Sequence, residues 1–183
     1  MGAEFPFVFA FNRDEHQGRV AESLRFQIEK GFKNIVCGID VITGTTWFAF
    51  NKMTGDFACL TNFRTRRNQF SKRDYQSRGL LVMEYVKLND TDVPKEKKMT
   101  YENFLAKLYS GIFKGFNLIF GNIFDNPDGK PGQLRYYQNQ NVDPGSQKDW
   151  QAPRVLMTNR AHGLSNGDIN KWSKVIDGRY AFF

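Results

Sequence analysis

Four consecutive polar residues, Asn12, Arg13, Asp14 and Glu15, follow a run of seven apolar residues and could do chemistry together. The Arg13 guanidinium offers five donors in a fixed fork, and the carboxylates of Asp14 and Glu15 offer acceptors. Such a set can neutralise a carboxylate or phosphate through the arginine and orient an amine through the aspartate. The alternative is an ion pair on the surface at the end of a strand, which contributes little to stability.

The segment that must position these four residues spans residues 5–11. Its four phenylalanines fall on one face of a strand, and Pro6, Val8 and Ala10 fall on the other. Because both faces are apolar, the pattern predicts a central strand that is buried on both sides. We therefore expect the four polar side chains to lie at the rim of the core, where unpaired charge is costly.

The remaining elements follow from apolar periodicity and turn residues. Helices are predicted at residues 21–30, Ser77–Leu88 and Thr100–Tyr109, with Thr100 as a candidate N-cap. Gly55 is expected at the left-handed position of a hairpin loop. This order indicates an α+β fold with helices on at least one face of a mainly antiparallel sheet. Strands are predicted at residues 34–40, 46–51, 57–62, 117–124, 134–138 and 154–158.

Length and charge restrict the classes of function. The chain of 183 residues is long enough for one domain with a hydrophobic core, and its formal net charge is +7. A basic cluster at residues 64–73 could bind phosphate, anionic lipid or nucleic acid, and its alternative is a solvated loop. A nucleic-acid-binding protein stays open as an alternative, although no recognised motif of that kind is present.

Two cysteines, Cys37 and Cys59, lie in apolar, strand-like settings. Neither has the spacing to a second cysteine or a histidine that zinc sites show, so no metal site is predicted. We expect both to be buried free thiols. No apolar run approaches the length of a membrane span, so no transmembrane segment is predicted.

Six short motifs, in this order, resemble those of the NRDE family, also called the transport and Golgi organisation protein 2 family. The resemblance covers residues from about 5 to 174, and Trp172 and Lys174 fit the segment after the last motif. The motifs are Asn-Arg-Asp-Glu at 12–15, Gly-Thr-Thr-Trp at 44–47, Leu-Thr-Asn at 60–62, Ser-Arg-Gly at 77–79, Gly-Phe-Asn-Leu-Ile at 115–119 and Gly-Leu-Ser-Asn at 163–166.

The resemblance implies a fold and a cellular role. It implies one domain over residues 1–183 with an αββα sandwich like that of the N-terminal nucleophile hydrolases. Family members are linked to haem trafficking, to acyl-CoA and lipid homeostasis, and to Golgi organisation and secretion. A cytoplasmic location is expected, with association to mitochondria or Golgi as alternatives.

The start of the chain departs from the family pattern. Members commonly carry cysteine directly after the initiator methionine, whereas this chain has Gly2. An N-terminal nucleophile reaction needs a thiol or hydroxyl beside the chain's own amine, so we expect no catalytic residue and no such activity. An amide hydrolase is the alternative function. The comparison also leads us to expect that the family's first strand and C-terminal part are missing.

The favoured hypothesis is a protein that binds or moves a small anionic ligand, either haem or acyl-CoA, with haem as cargo rather than as a resident cofactor. Arg78 is predicted at a helix start, where the dipole disfavours a cation, so an anion or a buried partner is expected there. Trp47 is expected in the core. The candidate ligand-binding residues are Asn12, Arg13, Asp14, Glu15, Trp47, Asn62, Arg78, Asn117, Ser165 and Asn166.

The two asparagines at motif ends, Asn62 and Asn166, have a separate chemical rationale. Their amides could act as oxyanion-type donors towards a ligand. The alternative for each is a turn in which the side chain bonds its own backbone.

Overall fold

A computed structural model describes residues 7–12, 17–63, 75–124, 132–139, 152–156, 162–166, 171 and 173–180. In these residues seven strands form one open antiparallel sheet with the strands in chain order, and three α-helices accompany it. The predicted α+β class is therefore confirmed. The four-layer αββα arrangement stays a prediction, because the described residues contain one sheet.

The element bounds are as follows. The strands are β1 (Ala21–Gln27), β2 (Phe32–Asp40), β3 (Phe48–Asn51), β4 (Asp56–Asn62), β5 (Phe116–Asn122), β6 (Leu134–Asn139) and β7 (Arg154–Val155). The α-helices are α1 (Gly79–Lys87), α2 (Tyr101–Tyr109) and α3 (Ser173–Tyr180).

The helices α1 and α2 cover one face of the sheet. Alternate residues of the central strands point towards this face, and their apolar side chains pack against Leu81, Val82 and Phe104 in one buried cluster. The Phe104 ring contacts the Phe120 ring of β5 at 5.5 Å between centroids. Thr100 caps α2, because its Oγ1 accepts a hydrogen bond from the Asn103 amide at 3.2 Å, as predicted.

The opposite face of the sheet carries a second apolar cluster. Phe57, Cys59 and Ile119 are buried there, and Val175 of α3 packs on them. The helix α3 was not predicted from the sequence. None of the three α-helices described is both long and apolar enough to cross a bilayer.

The predicted strand at residues 5–11 is wrong over its described part. Residues 7–12 form no strand, and the Phe7 and Phe9 side chains are 37% and 36% exposed. The segment lies on the second face of the sheet, where the Phe9 ring stacks on Phe48 at 5.0 Å and meets Phe57 edge-on at 4.8 Å. The aromatic side chains of residues 7–12 therefore pack on the sheet from one side, without strand pairing.

The helix predicted at residues 21–30 is also wrong. This stretch forms β1 and then one turn of 3-10 helix at Ile28–Lys30. Gly31, with φ of 81°, reverses the chain so that β1 pairs with β2. The helical spacing of Leu24 and Ile28 was misleading, since both side chains are exposed and neither faces a core.

Candidate functional site

A polar pocket of about 200 Å³ opens at the edge of the sheet where β2 and β4 end and α1 begins. The antiparallel order of the strands brings these chain ends to one edge. Residues 43, 45–47, 60–62, 77–79 and 164–166 form most of its wall, and this cavity is called the polar pocket below.

An ion pair closes one side of the polar pocket. Arg19 Nε donates a hydrogen bond to Asp40 Oδ2 at 2.7 Å. Asp40 Oδ1 accepts bonds from the backbone amides of Ile42 and Thr43, each at 3.1 Å. Desolvation by burial raises the pKa of Asp40, but the Thr43 amide and Arg19 outweigh it, so the pKa lies below its ordinary value. Asp40 is therefore a fixed carboxylate at neutral pH.

A chain of hydroxyl groups joins the loop after β2 to the start of α1. Thr43 and Thr45 share a hydrogen bond of 2.8 Å between their Oγ1 atoms, and Thr45 Oγ1 shares another of 2.8 Å with Ser77 Oγ. Gly79 permits this close approach, because a Cβ there would lie 2.5 Å from Thr45 Oγ1. Hydroxyls that can donate or accept thus line the pocket next to Arg78.

Arg78 is the cation that the described part of the pocket leaves without an acidic partner. Its Nη1 donates a hydrogen bond to the Gly115 carbonyl oxygen at 2.9 Å. Desolvation by burial, and then the charge of Arg19, lower the pKa of Arg78 from its usual value. The guanidinium nevertheless stays charged at neutral pH. Among the residues that the structure describes, Gly115 accepts from one of its five N–H donors, and the others can serve further acceptors.

The loop at residues 164–166 is held over the polar pocket by side chains of the sheet. The Ser165 carbonyl oxygen accepts hydrogen bonds from Thr61 Oγ1 at 2.6 Å and from Asn117 Nδ2 at 2.9 Å. Asn117 is itself positioned by Tyr136, whose hydroxyl donates to Asn117 Oδ1 at 2.7 Å. Two β-strands therefore set the position of this wall.

The structure gathers most of the predicted site residues. Asn117 lies under the 164–166 loop and acts on it through Ser165. Arg13, Asp14 and Glu15 lie outside the described residues. Ligand binding by any of these residues stays a prediction. The predicted site residues that lie in the wall of the polar pocket are Asn12, Trp47, Asn62, Arg78, Ser165 and Asn166.

Trp47 differs from its expected place in the core. Its side chain is half-buried, and it lines both the polar pocket and a neighbouring apolar groove. The groove has a volume of about 700 Å³ and is lined by aromatic and aliphatic side chains of the second face. Trp47 therefore borders both the polar pocket and the groove.

Sequence reasoning missed the ion pair and the hydroxyl chain. Asp40 ends an apolar strand and is followed within five residues by Thr43 and Thr45, which is the same kind of signal that singled out residues 12–15. That signal could have been used. The sequence around Arg19 contains no such signal, because the position of Arg19 depends on the pairing of β1 with β2.

The two cysteines are buried, as predicted, and burial raises their pKa values. The pKa of Cys37 rises to about 11 and that of Cys59 to about 12. Both are therefore neutral thiols at physiological pH and poor nucleophiles. Within the described ranges, no group of three or more His, Cys, Asp and Glu side chains could hold a metal ion.

A family model described as transport and Golgi organisation 2 matches residues 2–183. No curated protein matches the chain.

Proposed function

This chain belongs to the transport and Golgi organisation 2 family, and we propose that within this transport-related family it binds a small anionic ligand in the polar pocket. The observation that carries the proposal is the Arg78 guanidinium. It is largely removed from solvent, it lies in the pocket wall, and no carboxylate pairs with it in the part of the chain described.

Burial of an unpaired cation is costly for a protein, and two features make this one more so. Arg19, a second cation, is close enough to disfavour the charge of Arg78. The start of α1 adds the positive end of the helix dipole. A bound anion would offset both effects, because a carboxylate or phosphate can accept two parallel hydrogen bonds from a guanidinium.

The other groups in the pocket wall suit the same ligand. The two hydrogen bonds among the Thr43, Thr45 and Ser77 hydroxyls use two of their three protons, so one of these hydroxyls can donate to an anion. The amides of Asn62 and Asn166 can donate as well. Haem, with its propionates, and acyl-CoA, with its phosphates, are the candidates that the family resemblance suggests. The proposed setting for this role is the cytoplasm, with association to mitochondria or Golgi.

The test compares Arg78→Gln with Arg25→Gln. Arg25 is an exposed arginine of β1 that pairs with Glu22, so it controls for the loss of one positive charge. Binding of haem and of an acyl-CoA is measured by calorimetry. Truncation of one partner of a buried charge pair costs about 2–5 kcal/mol, so we expect Arg78→Gln to weaken binding roughly 30-fold or more. Arg25→Gln should bind like the parent.

Stability without ligand gives a second readout. Because Arg78 lacks an acidic partner in the described residues, Arg78→Gln should unfold at the same temperature as the parent, or higher. Unchanged binding of both ligands by Arg78→Gln would contradict the proposal.

A further inference from the structure

We infer that Gln138 of β6 is a positioning residue for the polar pocket. Its side-chain amide starts a directed chain of hydrogen bonds that passes through Tyr136 and Asn117 and ends at the Ser165 carbonyl oxygen in the pocket wall. This role rests on the proposed anion site and adds a residue that acts on the site through its wall.

Three strands place these groups on the second face of the sheet. Thr61 of β4 pairs with Asn117 of β5, and Asn117 pairs with Gln138 of β6. Residues that pair across an antiparallel sheet point to the same face, and Tyr136, two positions before Gln138, shares it. Asn117 is fully buried and Tyr136 is 4% exposed. Hydrogen bonds between these side chains therefore form away from water.

The direction of the chain is set at its end, by the Ser165 carbonyl oxygen. A carbonyl oxygen only accepts, so Asn117 presents its amide nitrogen to it, with Nδ2 at 2.9 Å. The amide oxygen of Asn117 therefore faces Tyr136, whose hydroxyl lies 2.7 Å away. A tyrosine hydroxyl has one proton, and Asn117 Oδ1 can only accept. That proton therefore lies between Tyr136 and Asn117.

Gln138 completes the chain when its amide nitrogen faces Tyr136. Oε1 of this amide lies 2.7 Å from the Tyr136 hydroxyl oxygen, whose proton is already used by Asn117. In that orientation two acceptors oppose each other, and Nε2 is a buried donor without an acceptor among the described residues. The two ends of a side-chain amide have the same shape, so hydrogen bonding decides their orientation. Exchange of the two ends removes both conflicts and leaves a buried carbonyl oxygen, which is unpaired in proteins more often than an N–H group.

This direction favours an anion in the polar pocket. The Ser165 carbonyl oxygen has two lone pairs, and Thr61 and Asn117 donate to them. Because Ser165 lies in the pocket wall, the loss of one donor would leave an additional acceptor beside a bound anion. A donor at position 138 keeps the Tyr136 proton on Asn117, and Asn117 in turn keeps its amide nitrogen on Ser165.

The experiment compares Gln138→Glu, Tyr136→Phe and the double variant in the full chain. A carboxylate at position 138 only accepts, so it should draw the Tyr136 proton away from Asn117, whereas Tyr136→Phe removes that proton without adding charge. Each single variant should speed hydrogen exchange of the backbone amides of residues 164–166 roughly fivefold, the factor for one lost hydrogen bond of about 1 kcal/mol. Because both changes act through one proton, the double variant should exchange no faster than Tyr136→Phe. Gln133→Glu adds the same charge at an exposed position before β6 and should leave the exchange unchanged.

A further variant separates hydrogen-bond direction from packing. Gln138→Met removes the donor to Tyr136 but does not draw the proton away from Asn117, so it should speed the exchange less than Gln138→Glu does. Binding of inorganic phosphate, titrated by the NMR shifts of the same amides, is the second readout. Gln138→Glu and Tyr136→Phe should each weaken phosphate binding several-fold, and Gln133→Glu should not.

The outcomes distinguish the positioning role from the anion site. The role of Gln138 would be overturned by unchanged exchange in Gln138→Glu, by equal effects of Gln138→Met and Gln138→Glu, or by effects that multiply in the double variant. Equal weakening of phosphate binding by Gln133→Glu would also overturn it, since added charge alone would then be the cause. Faster exchange in both single variants of a chain whose parent binds no phosphate, haem or acyl-CoA would overturn the anion site and leave the control of the wall by Gln138 standing.

Discussion

The Thr61 hydroxyl donates a hydrogen bond of 2.6 Å to the backbone carbonyl of Ser165, which lies 104 residues further along the chain. Asn117 Nδ2 donates to the same oxygen from the adjacent strand at 2.9 Å. Two neighbouring strands thus hold the 164–166 loop, and one wall of the polar pocket depends on side chains of the sheet.

The first prediction concerns this connection. Thr61→Val keeps the shape of the side chain but removes the donor, so the loop should open more often. One net hydrogen bond contributes about 1 kcal/mol, so the backbone amides of residues 164–166 should exchange with solvent roughly fivefold faster. Ser110→Ala is the control, since it removes a bond of similar length, 2.7 Å to the Lys107 carbonyl, outside the pocket. Unchanged exchange in Thr61→Val would show that Thr61 does not hold the loop.

The second prediction concerns pH. The pKa of Asp40 lies below its ordinary value of about 3.9, because the Thr43 amide and Arg19 outweigh the effect of burial. A carboxylate with a lowered pKa adds stability above its unfolded-state pKa and loses it as pH falls through the folded-state pKa. The free energy of unfolding should therefore fall below about pH 4, and more steeply in the parent than in Asp40→Asn. Chemical denaturation between pH 6 and pH 3 measures both slopes, and parallel curves would refute the assignment.

The third prediction reverses an ordinary substitution effect. Alanine normally stabilises a helix relative to glycine by about 1 kcal/mol. At Gly79 the added Cβ would collide with the Thr46 carbonyl oxygen and lie 2.5 Å from Thr45 Oγ1. Because a backbone oxygen yields little, we expect Gly79→Ala to lower the free energy of unfolding by about 1–3 kcal/mol. A stabilised variant in urea denaturation would contradict this packing of α1.

The fourth prediction compares two phenylalanines that touch each other. Phe57 is 2% exposed and Phe9 is 36% exposed, and their rings meet at 4.8 Å. Phe57→Ala should lower the free energy of unfolding by about 3–5 kcal/mol through lost burial and a cavity. Phe9→Ala should lower the free energy of unfolding by clearly less, because the Phe9 side chain is already partly exposed to water. Equal losses in denaturant titrations would show that the segment at 7–12 is as much a part of the core as β4.

Several elements could be predicted because their determinants are local. The hairpin of β3 and β4 follows from two apolar runs around a loop in which Gly55 adopts φ of 76°, as expected. The helix α2 follows from its Thr100 cap and its apolar stripe. Burial of Cys37 and Cys59 follows from their apolar neighbours. In each case the signal lies within about ten residues of the element.

The incorrect predictions at residues 5–11 and 21–30, and the missed ion pair, have a different origin. The run at 5–11 is apolar on both faces, which is typical of a central strand, yet its described rings lie on the aromatic surface formed by Phe48 and Phe57. The stretch at 21–30 has helical spacing, yet it pairs with β2 through a register with two irregularities. The Arg19–Asp40 pair depends on that register. Such features come from pairing and packing between distant segments, which local periodicity does not encode.

The chain order of the strands has a consequence for synthesis. Each described strand pairs with its neighbour in sequence, so most pairings close short loops, and such local pairing favours rapid folding. As the chain leaves the ribosome, β1 to β4 can pair before the helices exist. The wall at residues 164–166, held by Thr61, can form only after β1 to β7 and the first two α-helices have been made. The nascent chain can therefore pair the strands of its sheet before it completes the wall of the polar pocket.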